Sequence, residues 1–314
     1  MRVTVALVAC GLLGSASVLH ANSLPPTPGF FTPISINIPG ASSIGATAIS
    51  SSSNLAGIFS DNSGALHGFA DNHGTVTTFD FPAGAEVSAT TAVTGINDAG
   101  QVIGSYHLPD ELFGHGFRYA NGIVTEIPNY PYAINNDGTV VGWAHSCLID
   151  FCGAAFIYSN GTMTTVNFPP QPPDEATDTR FLGINNVGDI VGDYRGGIPH
   201  HGFRDQGGLT YRGGGFTAFD VPGATFTIPS GINDAGQIVG TFGDSNGNGH
   251  GFLYDNGSFS GLDFSPRGID SHGEILVGDS LFTPTPEPAS LLLFGSDVIA
   301  ICIAVKRRRR GFGR

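Results

Sequence analysis

The segment Gly95-Ile96-Asn97-Asp98-Ala99-Gly100-Gln101-Val102-Ile103-Gly104-Ser105-Tyr106 is written again and again along the chain. It returns as AINNDGTVVGWA at 133–144, GINNVGDIVGDY at 183–194 and GINDAGQIVGTF at 231–242, with weaker copies AISSSSNLAGIF at 48–59 and GIDSHGEILVGDS at 268–280. The anchoring isoleucines Ile49, Ile96, Ile134, Ile184, Ile232 and Ile269 are 47, 38, 50, 48 and 37 residues apart, a mean of 44. That period matches one four-stranded propeller blade.

Each copy carries four short β signals, a to d. Strand a ends in Gly-Ile-Asn, and a tight turn such as Asp98-Ala99-Gly100 follows, with glycine taking the positive φ of a short hairpin loop. Strand b reads Gln101 to Gly104. Strand c is His-Gly-Phe-x-Tyr at His115 to Tyr119 and His250 to Tyr254, with shorter relatives at His67 to Phe69 and His201 to Phe203. Asn-Gly pairs at Asn121-Gly122, Asn160-Gly161 and Asn256-Gly257 close the next hairpin. Strand d alternates and ends at proline, as in Thr217 to Pro222. No helical period of useful length appears between residues 22 and 285, so the body reads as all-β.

The two ends of the array decide between a ring and an open stack. The sixth copy stops after Ser280-Leu281-Phe282 without a strand d, and Phe31 to Ala41 matches FTAFDVPGA at 216–224. A six-bladed β-propeller closed by an N-terminal strand follows, spanning 30–282. Closure leaves only short, protected edges. The alternative, a β-solenoid, would need capping repeats.

Outside the array, Arg2 and an apolar stretch from Val3 to Val18 read as a signal peptide over 1–21, followed by a linker at 22–29. At the other end lies a tail over 283–314: Pro286-Glu287-Pro288, an apolar run at 289–305, and a basic stop at 306–314 that includes Arg307, Arg308, Arg309 and Arg310. A run of about 17 residues is near the lower limit for spanning a bilayer, and the cationic end would stay cytoplasmic. Asp297 interrupts the run at a cost to insertion. The tail resembles the PEP-CTERM sorting signal of Gram-negative bacteria. That resemblance implies an exosortase-type processing enzyme as partner, a transient membrane tether, and release to the cell surface or extracellular matrix.

The repeat itself, over roughly 45–282, resembles the HAF-type extracellular repeats of secreted bacterial proteins. It implies export and brings no catalytic residue with it. Enzyme signatures such as G-x-S-x-G, H-E-x-x-H and a Walker loop are missing from the sequence. Adjacent acids, Asp110 with Glu111 and Asp174 with Glu175, would suit glycoside cleavage only at a defined separation.

Charge excludes one class of partner. Between residues 22 and 288 six arginines stand against 25 acidic residues, a net charge of −19. Phosphate backbones would be repelled, so nucleic acid is not a partner. Of four cysteines, Cys10 lies in the leader and Cys302 in the tail, leaving Cys147 and Cys152, five apart, as an expected disulfide in an exported chain.

Blade geometry sorts the loops. The a–b and c–d turns share one face, while the long, variable b–c and d–a segments share the other. Variable loops on a rigid scaffold are where binding resides, so the expected ligand face holds Tyr106, His107, Trp143, His145, Tyr194, Arg195 and Phe242. The recurring aromatics at the end of strand b either stack on sugars or pack between blades. Trp143, the single tryptophan, is the strongest candidate for the first role. The HGF histidines lie on a ring, too far apart to share one metal ion. Asp244, Asn246, Asn248 and Asp255 fit the spacing of a calcium loop, though without flanking helices. The function expected is an exported, non-catalytic surface or matrix protein that binds a glycan or protein partner; the alternative is a secreted propeller enzyme acting on polysaccharide.

Overall fold

The computed structural model describes residues 24–81, 92–108, 111, 113–145, 153–168, 177–196 and 205–285. The expected signal peptide, Cys147, Cys152, His201 to Phe203, Asp110, Asp174, Glu175 and the PEP tail lie outside these residues.

Six four-stranded antiparallel sheets form a ring. Blade I is β2 (Ala41–Ile49), β3 (Leu55–Asp61), β4 (Leu66–Asn72) and β5 (Thr75–Phe79). Blade II is β6 (Ala92–Ile96), β7 (Val102–Tyr106), β8 (His115–Ala120) and β9 (Ile123–Ile127). Blade III is β10 (Tyr130–Ile134), β11 (Val140–His145), β12 (Gly153–Ser159) and β13 (Thr162–Val166). Blade IV is β14 (Thr177–Ile184), β15 (Ile190–Gly196), β16 (Asp205–Arg212) and β17 (Gly215–Phe219). Blade V is β18 (Phe226–Ile232), β19 (Ile238–Gly243), β20 (Gly249–Asp255) and β21 (Ser258–Leu262). Blade VI takes β22 (Gly268–Ile269), β23 (Ile275–Val277) and β24 (Ser280–Pro284) from the C-terminal side and β1 (Gly29–Pro33) from the N-terminal side, in the order β1-β24-β23-β22.

The missing outer strand is therefore supplied from the other end of the chain. Phe31 pairs with Phe282 and Thr32 with Leu281. Residues 24–28, read from the sequence as part of a linker, instead run along the outer strand of blade V: the Thr27 N–H donates to Gly261 O at 2.9 Å, and Pro26 bridges Gly261 in parallel. The Thr285 N–H donates to Pro28 O at 2.9 Å, so both ends of the described chain leave from one place.

The apolar core is divided among the blade junctions. Phe79 and Val93 meet between blades I and II, Ile103 and Phe156 between II and III, and Val141 and Phe181 between III and IV. Val191 and Phe252 fill the IV–V junction, Val239 and Phe282 the V–VI junction, and Leu276 and Phe69 the VI–I junction. Each junction buries several large side chains at about 1.5–3 kcal/mol apiece, and the last one exists only because the ring closes.

The phenylalanine of His-Gly-Phe is the wedge, fully buried at Phe69, Phe117 and Phe252. Opposite Phe117 stands Gly104, where a Cβ would overlap both the Phe117 ring and the Ala92 carbonyl oxygen. The glycine of strand b thus serves close packing rather than a turn. In blade IV the residue facing the equivalent Gly192 is Leu209. The described part of strand c in blade IV is 205–212, where Leu209 and Tyr211 fall on one face; the HGF of 201–203 lies outside the described residues.

The asparagine of Gly-Ile-Asn does more than start a turn. Asn97 Oδ1 accepts the Gln101 N–H at 3.0 Å, closing its own turn, while Asn97 Nδ2 donates to Asn135 O of the next blade at 3.0 Å. Asn135, Asn185 and Asn233 repeat the pattern toward Asn185 O, Asn233 O and Asp270 O. Asp270 has no side-chain amide to donate, and the last seam is closed from both sides: Ser53 Oγ of blade I donates back to Asp270 Oδ2 at 2.6 Å, while the Ser271 N–H of blade VI donates forward to Ser51 O at 3.0 Å. A second shell of contacts spans the axis, with Asn186 Nδ2 of blade IV donating to Ser51 Oγ of blade I at 2.9 Å.

Candidate functional site

Two of the sequence motifs are one device. The aromatic at the end of strand b and the histidine of HGF are cross-strand partners: Phe59 with His67, Tyr106 with His115, and Phe242 with His250. Their rings lie 4.9, 5.2 and 5.3 Å apart. Tyr106 and Phe242 are buried, and Tyr194 stacks on Phe168 at 4.3 Å. These three expected ligand-face residues are packing residues. The stacked histidines are also bracketed by acids. His115 Nδ1 and Nε2 face Glu126 and Glu111 at 3.0 and 2.6 Å, which raises its pKa. His67 sits between Asp80 and Asp61. Asp61 is held down to about 2 by the Ser63 hydroxyl, then by the Ala65 N–H and other hydrogen bonds, against its desolvation.

The calcium reading is not assembled. Asp244 Oδ1 accepts the Asn246 and Asn248 N–H groups, and its Oδ2 faces Asn248 Nδ2 and His250 Nε2, so it caps its own turn. Burial works to raise the Asp244 pKa, but these bonds hold it well below the ordinary carboxylate range. Asp255 lies at the far end of β20 and accepts from Gln237.

Departures from the repeat cluster in one place. The cross-strand pair four residues before the anchoring isoleucine is small or apolar in three blades: Gly45–Ile58, Ala92–Ser105 and Ile228–Thr241. In blade III the same pair is Tyr130–Trp143, and in blade IV it is Arg180–Asp193. The two exceptional blades are neighbours. Trp143 Nε1 donates to Asp178 Oδ1 across the junction at 2.6 Å, and Asp178 stands opposite Arg195 in the sheet. Arg180 makes a two-pronged pair with the fully buried Asp193, Nε to Oδ1 at 2.8 Å and Nη2 to Oδ2.

Electrostatics there are unlike the rest of the molecule. Burial pushes the Asp178 carboxyl up, against the Trp143 hydrogen bond and the nearby Arg180 and Arg195. Burial also raises Tyr132, with Arg180 opposing and Asp193 reinforcing the shift. Desolvation is the largest effect on the Arg180 guanidinium and pulls its pKa down, but the bond and charge of Asp193, with Tyr132 and Asp178 nearby, together outweigh it and keep the group firmly charged. Perturbed groups gathered in one place make this junction a functional-site candidate.

An aromatic row runs outward from this junction. His107 and Tyr130 are 6.1 Å apart, Tyr130 and Trp143 5.6 Å, Trp143 and His145 5.1 Å, and His145 and Phe113 4.5 Å. The Gly114 N–H donates to Tyr130 Oη at 2.6 Å, fastening the blade II loop over blade III. Trp143 and His145 are half-buried and Phe113 is exposed.

The structure thus brings His107, Trp143, His145 and Arg195 into one region and leaves Tyr106, Tyr194 and Phe242 in the packing. Sequence reasoning missed Tyr130, Tyr132, Asp178, Arg180, Asp193 and Phe113. Aligning the copies position by position and asking where small residues become large or charged would have found Tyr130, Arg180 and Asp193. Among the described residues no group of three or more His, Cys, Asp or Glu side chains is arranged to hold a metal ion, and no helix is long and apolar enough to cross a membrane.

No family model and no curated protein matches the chain. Among solved structures it is similar to the β-propeller domain of the Trilobed protease from Pyrococcus furiosus, described as having an open velcro topology, at 9% identity over 70% of this chain and 69% of that one, TM-score 0.42. It is also similar to AofleA from Arthrobotrys oligospora, at 10% identity over 73% and 76% of the two chains, TM-score 0.43. A fucose-specific lectin from Aleuria aurantia matches at 11% identity over 72% and 79%, TM-score 0.36.

Proposed function

We propose that the protein is an exported, non-catalytic surface or matrix component that holds a glycan on the variable-loop face, at the junction of blades II, III and IV. The observation that carries this reading is the departure of two neighbouring blades from their own repeat. Tyr130 and Trp143 supply flat apolar faces of the kind that stack on sugar rings, and the Asp178, Arg180 and Arg195 group supplies polar partners beside them. A repeat scaffold has no packing need for a buried bidentate ion pair in one blade of six, since a buried pair contributes little net stability. Export is supported by the leader-like Arg2 to Val18 stretch and by the resemblance of the tail to an exosortase substrate. The exit of Thr285 beside Pro28 means that cutting beyond it would leave every blade intact.

A glycan array probed with the full chain and with Trp143→Ala tests the proposal. Wild type is expected to retain a restricted set of glycans, and Trp143→Ala to lose at least tenfold in retention. No retention by wild type, or equal retention by the variant, overturns it. A hydrolysis screen on the same preparations gives the rival its chance: turnover lost in Asp178→Asn would make the site catalytic.

A further inference from the structure

The six innermost strands enclose an axial cavity of about 70 Å³. Its wall repeats one sequence position per blade: Thr47, Thr94, Tyr132, Leu182, Ser230 and Arg267. In the first five blades this residue falls at a shift in the register between the two inner strands, which frees it from the ladder. Thr47 and Thr94 donate their hydroxyl protons to Val93 O and Pro131 O of the next blade, at 2.7 and 2.8 Å, and Ser230 donates to Pro266 O at 2.9 Å. Those hydroxyls have spent their donors on holding the ring together. Blade VI puts an arginine where its neighbours put a hydroxyl.

The cavity has a floor. At the end formed by the short turns, Asn186 reaches Ser51 across the axis, and the same layer ties Asp98 to Asn136 and Asn186 to Asp234. The route in is from the variable-loop face. The carboxylates of the floor are already engaged: Asp98 accepts from the Ser51 and Ser52 hydroxyls and from Asn136, and Asp234 accepts both the backbone and side-chain N–H of Asn186.

Arg267 differs from the paired arginines. Arg180 and Arg212 each hold an aspartate, whereas no described carboxylate lies within 4.0 Å of the Arg267 guanidinium. In a body this acidic, an exposed arginine on the wall of a polar cup, without a carboxylate partner, has five N–H donors to offer a ligand. Charge-assisted bonds to a carboxylate are the strongest use of such a group, and Tyr132 lines the opposite wall of the same cavity.

We infer that the axial cup is a second binding site, taking a small carboxylate, free or as the acidic group of a larger ligand, between Arg267 and Tyr132. Blades VI and III face each other across the axis, so the two donors approach the anion from opposite sides. Tyr132 also belongs to the group around Arg180 and Asp193 at the blade III–IV junction, so Arg267→Gln, which touches only the cup, is the variant that tests this site apart from the glycan reading.

The test is titration of the full chain with ¹³C-labelled acetate, followed by saturation-transfer NMR. Saturable binding is expected for wild type, with affinity at least tenfold weaker in Arg267→Gln, restored in large part by Arg267→Lys, severalfold weaker in Tyr132→Phe, and unchanged in Arg212→Gln. Galacturonate and galactose then separate the sources: competition by the uronate and not by the neutral sugar shows that the cup accepts the acidic group of a sugar, while competition by neither restricts it to free small carboxylates. Absence of saturable binding overturns the site, and so does binding equally strong in Arg267→Gln and wild type, which would mean an adventitious ion only. Circular dichroism melts of Arg267→Gln and Arg267→Lys separate loss of the charge from loss of the fold, since an exposed side chain should move neither midpoint by more than a few degrees.

Discussion

The side-chain amide of Asn185 donates to the carbonyl oxygen of Asn233, 3.0 Å away in the next blade, while its Oδ1 accepts the Asp189 N–H at 2.8 Å. One buried residue thus closes its own hairpin and fastens its blade to the neighbour. Asn185→Ala strands the buried Asn233 carbonyl and the half-buried Asp189 N–H and should cost about 2–6 kcal/mol, at about 1–3 kcal/mol for each group left unpaired. Asn185→Ser should fall between, because the equivalent Ser50 in blade I accepts its turn N–H through Oγ. Urea denaturation checks both; a midpoint unmoved in Asn185→Ala would mean that these asparagine contacts between blades do not hold the ring.

Closure is the second expectation to test. Phe282 is almost fully buried, and its ring lies 5.1 Å from Phe31 and 4.8 Å from Phe264. Deleting Gly29–Pro33 removes the whole outer strand of blade VI and uncovers that cluster. The deletion should lower the denaturant midpoint steeply, and Phe282→Ala should cost about 3–5 kcal/mol by loss of buried volume. If the deletion melted with the wild-type protein, the ring would be held without its N-terminal strand.

Much of this was legible in the sequence because it repeats. The period of the isoleucines, the turn glycines and the missing final strand gave the ring, its blade number and the terminus that closes it. What the repeat hides is anything that varies. Tyr106, Tyr194 and Phe242 drew attention by recurring, yet recurrence is what a packing role produces, and each of them lies against a histidine or a phenylalanine. Arg180 and Asp193 were invisible because their meaning depends on the sheet register that sets them opposite each other. The pairing of Pro25 and Thr27 with Gly261 was hidden for a related reason: an isolated edge contact uses only a few backbone groups and leaves no alternation in the expected linker at 22–29.

His115 gives a pH dependence with a defined sign. Hydrogen bonds donated to Glu126 and then to Glu111 raise its pKa in the folded state, so the folded protein binds that proton more tightly than the unfolded chain. The resulting stability is fully present below about pH 6.5, the unfolded value, and is lost as pH rises through the raised folded value. Because the ring is a quarter exposed, screening keeps the effect at or below about 1 kcal/mol. Melting His115→Gln beside wild type should show a deficit at pH 6 that shrinks in alkaline buffer. A deficit constant with pH would assign His115 to packing on Tyr106 alone.

Asp178 carries the opposite balance, and it ties the site to stability. Its folded pKa lies above the ordinary value because burial penalises the charge. The unfolded chain therefore gives up that proton more readily, and stability falls as pH climbs from about 3.9 through the folded value. Asparagine keeps an oxygen for Trp143 Nε1, 2.6 Å away, and carries no such penalty. Asp178→Asn should melt above wild type at neutral pH, with the difference closing as pH falls toward 4. Residues held against the interest of the fold are those retained for function, so the same variant should bind glycan less well while being more stable. A variant less stable than wild type at pH 7 would show that the carboxylate is kept for the structure, and the binding site would have to be sought elsewhere on the variable-loop face.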